Sequence, residues 1–60
     1  ELTEEEQIIV NLLQKSPDGI QINTLVIESN IPINRISMLL FELEMKGIVR
    51  PMAGGVYRIV

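Results

Sequence analysis

Ile36-Ser-Met-Leu-Leu-Phe-Glu-Leu-Glu-Met-Lys-Gly-Ile-Val-Arg50 decides how the rest of this chain is arranged. At about 100° per residue, Ile36, Leu39, Leu40 and Leu43 gather on one side of a helix. Gly47 falls just past the end of that helix, where a residue able to take positive φ closes the last turn. Ile48-Val49 begins an extended segment, and Met52-Ala-Gly-Gly55 turns the chain. Val56-Tyr-Arg-Ile-Val60 then has the β-branched and aromatic content of a returning strand. The order is helix, glycine, strand, glycine turn, strand.

The segment before it supplies the surfaces against which that helix packs. Thr3 reads as an N-cap and Glu6 as the N3 partner of a capping box, and Glu4, Glu5 and Glu6 all face the positive end of the helix dipole. Ile8, Ile9, Leu12 and Leu13 define the expected buried stripe of this first helix, with Val10 off it. Pro17 cannot continue the helix, Ser16 before it is pushed toward extended geometry, and Asp18-Gly19 completes a turn. Ile20-Gln21-Ile22 alternates as a short strand, suited to pair with the later hairpin in a three-stranded sheet. Asn23 is the expected N-cap of a second helix, Thr24 to Ser29. Asn30 suits the left-handed position after that helix, Ile31-Pro32 makes the tight turn, and the third helix runs from about Ile33 to Lys46. Residues 1–60 thus read as one α+β, mostly helical domain: a winged helix-turn-helix of three helices with a small antiparallel sheet and a β-hairpin wing.

Composition narrows the function. Sixty residues lie close to the lower limit for a core without metals or disulfides, and 47% apolar content is high for that size, so some apolar side chains are expected outside the core. The chain has no Cys and no His, which removes thiol nucleophiles, disulfides, zinc-finger ligation and the usual proton shuttle. No enzyme, metal site or cofactor is expected, and Gly54-Gly55 stands outside any Walker-type sequence. No apolar run approaches the roughly 20 residues that span a bilayer, and no basic segment precedes an apolar one as in a signal peptide. A cytoplasmic location without membrane association is expected. The sequence opens on Glu1 rather than Met, which suggests a module of a longer protein. The net charge of −3 lacks the basic footprint through which DNA-binding domains gain most of their non-specific affinity.

In helix-turn-helix proteins the second helix of the motif enters the major groove and presents donors and acceptors to base edges. Here the side of the third helix opposite Ile36, Leu40 and Leu43 carries Asn34, Arg35, Met38, Phe41, Glu42 and Met45. Only Asn34, Arg35 and Ser37 suit base or phosphate contacts. Met38, Phe41 and Met45 lie in one line and, with Ile27 of the second helix, form a candidate protein-contact surface; the alternatives are an unusually wide core and a nucleic-acid surface. Glu42 and Glu44 beside them repel phosphates. Lys46, Arg50 and Arg58 fall near the wing, where arginines can lie along a DNA backbone. The alternative is that they are solvated charges on a small sheet, bridging to the glutamates of the first and third helices, each bridge worth little. Tyr57 reads as a sheet-packing residue, because stacking platforms carry several aromatics and this chain has one Tyr and one Phe.

Leu2-Thr-Glu-Glu-Glu-Gln7, Ile31-Pro-Ile33, Leu39-Leu-Phe-Glu-Leu-Glu-Met-Lys-Gly-Ile-Val-Arg50 and Gly54-Gly-Val-Tyr57 together resemble the C-terminal winged-helix domain of the DprA/Smf DNA-processing proteins, over essentially the whole chain. The run Leu43-Glu-Met-Lys-Gly47, followed by a Pro and a Gly-Gly-x-Tyr tail, is more specific than a generic winged helix. The resemblance implies a bacterial role in natural transformation, the competence-linked uptake of DNA. The parent protein would bind incoming single-stranded DNA and help load RecA onto it. In that family the DNA site belongs mainly to a Rossmann-like domain with no counterpart in these residues. The winged-helix module is then an accessory that contacts other domains of its parent chain or a second copy. The alternative is a duplex-DNA-binding winged helix, as in a transcription regulator, acting through Asn34, Arg35, Ser37, Lys46, Arg50 and Arg58.

Overall fold

A computed structural model describes all residues, 1–60. The elements are α1 (Glu4–Gln14), β1 (Ile20–Gln21), α2 (Ile22–Ser29), α3 (Ile33–Met45), β2 (Val49–Met52) and β3 (Val56–Ile59). The sheet is antiparallel with order β1-β3-β2. Three helices and a hairpin wing stitched to a short first strand are the winged helix-turn-helix expected from the sequence.

α1 opens with the capping box that Thr3 and Glu6 encode. The Thr3 backbone N–H donates to Glu6 Oε1 at 2.9 Å and the Glu6 N–H donates to Thr3 Oγ1 at 3.2 Å. Its buried stripe is Glu6, Ile9, Val10 and Leu13, while Ile8 is exposed and Leu12 half-buried. The expected stripe is therefore rotated, by about 80° on a helical wheel. The cause is Glu6. A carboxylate does not count toward an apolar pattern, yet here it is buried and sets which side of α1 faces inward.

α2 begins one residue into the segment that alternates as a strand. Gln21 rather than Asn23 is its N-cap, and the Gln21 side chain accepts from the Asn23 N–H at 2.8 Å. β1 is accordingly cut to Ile20–Gln21, and Ile22 instead donates its N–H to the Gly55 carbonyl at 2.9 Å. Asn30 closes α2 in the left-handed conformation. Pro32 leads into α3 without a side-chain cap. α3 ends at Met45 in a paired motif: the Gly47 N–H donates to Glu44 at 2.9 Å and the Ile48 N–H to Leu43 at 3.0 Å, with Gly47 at φ 76°. The Ile48 N–H is engaged in that motif while its carbonyl accepts from the Val60 N–H at 3.0 Å, and β2 runs from Val49.

Ile9, Val10, Leu13, Ile20, Leu25, Ile31, Ile36, Leu40, Leu43 and Val49 form the core, with Leu39, Tyr57 and Ile59 packed at its margin. Leu39 is half-buried rather than central, because it turns toward α1 on the flank of α3. Pro51 sits in β2, an edge strand, where its missing N–H leaves no ladder bond unmade. Gly19 is the tightest point of the fold. At φ 99°, a Cβ there would lie 2.6 Å from Val56 Cγ1 and 2.8 Å from the Tyr57 carbonyl oxygen, so only glycine fits.

Candidate functional site

α3 carries most of the candidate residues, and its three sides differ in character. Ile36, Leu40 and Leu43 face the core. On a helical wheel Asn34, Met38, Phe41 and Met45 fall within about 60° of one another on the opposite side. Their apolar members are exposed: Met38 by 59%, Phe41 by 60% and Met45 by 66%. Ile27, on the outward side of α2, is exposed by 78%. A wide core does not account for side chains this open.

The side of α3 facing α1 holds Arg35, Leu39, Glu42 and Lys46, and its two cations are already matched. Arg35 forms an ion pair with Glu5. Lys46 Nζ donates to both carboxylate oxygens of Glu6 at 3.0 Å. The Glu6 side chain is 1% exposed. The backbone hydrogen bond from Thr3 and then the ammonium of Lys46 hold its carboxyl below the usual carboxylate range, against the opposing effect of burial. The Glu6 carboxylate therefore does two jobs: it caps α1 and ties the start of α1 to the end of α3. Glu5, Arg35, Met38, Leu39 and Glu42 line a shallow groove of about 260 Å³ between the two helices. Glu42 has no cationic partner in it.

A family model described as the DprA winged helix domain matches residues 1–55 of the chain. The chain belongs to this family. No curated protein and no solved structure in the comparisons matches it.

Within this DprA-family module, the two remaining arginine candidates lie on the wing. Arg50 of β2 and Arg58 of β3 are direct cross-strand partners. Neither forms an ion pair. Asn34 and Ser37 are exposed, with the Asn34 side chain turned back to accept from the Arg35 N–H at 3.0 Å. The six nucleic-acid candidates are thus split: Arg35 and Lys46 are held by α1, Arg50 and Arg58 stand on the sheet, and Asn34 and Ser37 lie one turn apart on the exposed part of α3. Tyr57 packs against the core. No group of three or more acidic, Cys or His side chains comes together as a metal site, and no helix is long and apolar enough to cross a membrane.

Bridging to glutamates, the alternative for Lys46, Arg50 and Arg58, holds for Lys46 with Glu6 and not for the two arginines; sequence reasoning did not single out Glu6 as the partner and missed the packing role of Gly19. The Thr-x-x-Glu spacing signals the cap, but nothing local to it signals a lysine 40 positions away. Asp18-Gly19 signals a turn and is silent about the strand pressed against it.

Proposed function

We propose that these residues form an accessory winged-helix module of a DprA-like DNA-processing protein, whose α3 surface of Met38, Phe41 and Met45, extended by Ile27 of α2, contacts protein. The contact is with other domains of the parent chain or with a second copy. The parent protein, in natural transformation, handles incoming single-stranded DNA and RecA through those other domains. One observation supports this most strongly: the side of α3 that a DNA-reading helix turns to the major groove is apolar here, and the helix's own cations are engaged with α1. Burying several large apolar side chains against protein is favourable at about 25 cal/mol per Å², whereas placing them against a phosphate backbone releases no counterions.

The experiment is a Phe41→Ala/Met45→Ala double variant in the parent protein. Circular dichroism of the module should be unchanged, and its association with the remaining domains, or with itself, should weaken by at least tenfold. Association at wild-type strength in the folded variant refutes the reading.

A further inference from the structure

We infer, resting on the protein-contact reading just given, that the surface covering α3 belongs to another domain of the parent chain rather than to a second copy, and that it sets a lysine or arginine side chain into the groove between α1 and α3. The groove borders the exposed apolar row. On a helical wheel Glu42 follows Met38 by about 40°, on the side away from Phe41. Glu5, Arg35, Met38, Leu39 and Glu42 line it, with a volume of about 260 Å³. That is below the roughly 300–1,000 Å³ of small-molecule sites, and it suits one long side chain.

Glu42 sets the charge of that side chain. The usual neutralising partner of a helical glutamate is a cation four residues on, and Lys46 stands there. Lys46 Nζ is instead engaged by both carboxylate oxygens of Glu6 at 3.0 Å. Arg35, seven residues back and about 10 Å away along the axis, is engaged by Glu5. Both cations along α3 have turned to α1, so Glu42 stands exposed and without an ion partner beside the apolar walls of Met38 and Leu39. An aliphatic stem ending in a positive group matches those surfaces in order: the stem lies along Met38 and Leu39, and the head donates to the Glu42 carboxylate. A second copy meeting α3 through α3 cannot supply that group. Such a contact is two-fold, each helix face meeting the same face. The chain's other cations, Lys15, Arg50 and Arg58, lie at the end of α1 and on the wing. Acids of one groove would face acids of the other, which disfavours the copy as partner.

The test is methionine oxidation by dilute hydrogen peroxide, read residue by residue by mass spectrometry in the full-length parent protein and in the 60-residue chain alone. Met38 and Met45 lie on the surface in question, and Met52 on the wing, 40% exposed, is the internal control. Cover by another domain for about nine-tenths of the time should slow oxidation of Met38 and Met45 about tenfold in the parent relative to the chain alone, with Met52 unchanged. Glu42→Lys, which sets like charge against the incoming cation, should return both rates to those of the chain alone. Glu42→Gln keeps the shape and removes the charge, and should weaken the protection by about threefold, the worth of one half-exposed ion pair. Circular dichroism of both variants should match wild type. Protection that survives Glu42→Lys overturns the inference and leaves the protein-contact reading standing. Absence of protection in the wild-type parent overturns both. Protection that grows with concentration in the 60-residue chain alone assigns the surface to a second copy and overturns the inference.

Discussion

α3 and the wing are the two elements through which winged helices usually meet DNA, and in this chain they have opposite surfaces. α3 turns Met38, Phe41 and Met45 outward and gives both of its cations to glutamates of α1. The wing sets Arg50, exposed, directly across from Arg58, half-buried, and neither forms an ion pair. Counting charges along the sequence treats Arg35, Lys46, Arg50 and Arg58 alike. The fold divides them into a pair engaged with glutamates of α1 and a pair without ion partners. The difference teaches that acids in the first turn of one helix can engage the cations of a helix packed beside it while the wing keeps its own cations unpaired.

The contrast can be tested first within α3 itself. Leu40→Ala should cost about 2–5 kcal/mol, most of the roughly 3–9 kcal/mol available to a 60-residue domain. Its neighbour Phe41→Ala should stay within about 0.5 kcal/mol of wild type. Chemical denaturation of the two variants checks this, and equal losses would mean that Phe41 is packed. Next in size is Gly19→Ala, which forces a positive-φ alanine into Val56 and the Tyr57 carbonyl oxygen. A loss of about 1–3 kcal/mol is expected from the backbone alone, with the amide signals of β1 and β3 most displaced.

A smaller effect separates the two pairs of cations by pH. The Glu6 carboxyl is held below its ordinary value of 4.5 in the folded state, so its contribution is present above that value and is lost as pH falls through the lowered one. Melting midpoints from pH 7 to pH 3 should fall in the wild type. In Glu6→Gln the midpoint should start lower and fall less steeply. An unchanged acid limb would mean that the tie between α1 and α3 contributes nothing. The smallest effect is expected for Arg35→Gln, because its ion pair with Glu5 is exposed: the melting midpoint should barely move.

Much of this was legible in the sequence. The order of elements, the capping box, the glycine after α3 and the left-handed Asn30 all follow from local rules, because each is set by backbone geometry within a few residues. The outward position of Met38, Phe41 and Met45 follows from helical period once Ile36, Leu40 and Leu43 are placed inward. Features that depend on distant partners were not legible. α1 is rotated because Glu6 meets Lys46, and α2 starts early because Ile22 is held by Gly55. The direct opposition of Arg50 and Arg58 depends on the register of β2 against β3.

Amide shift mapping of the 60-residue chain with a duplex oligonucleotide, at low and at physiological salt, tests most directly whether α3 has given up DNA. Amides of Asn34, Met38, Phe41 and Met45 should stay in place at both salt concentrations, with any movement confined to Gly19, Arg50 and Arg58. Salt-dependent duplex binding that moves the outward face of α3 would contradict the account.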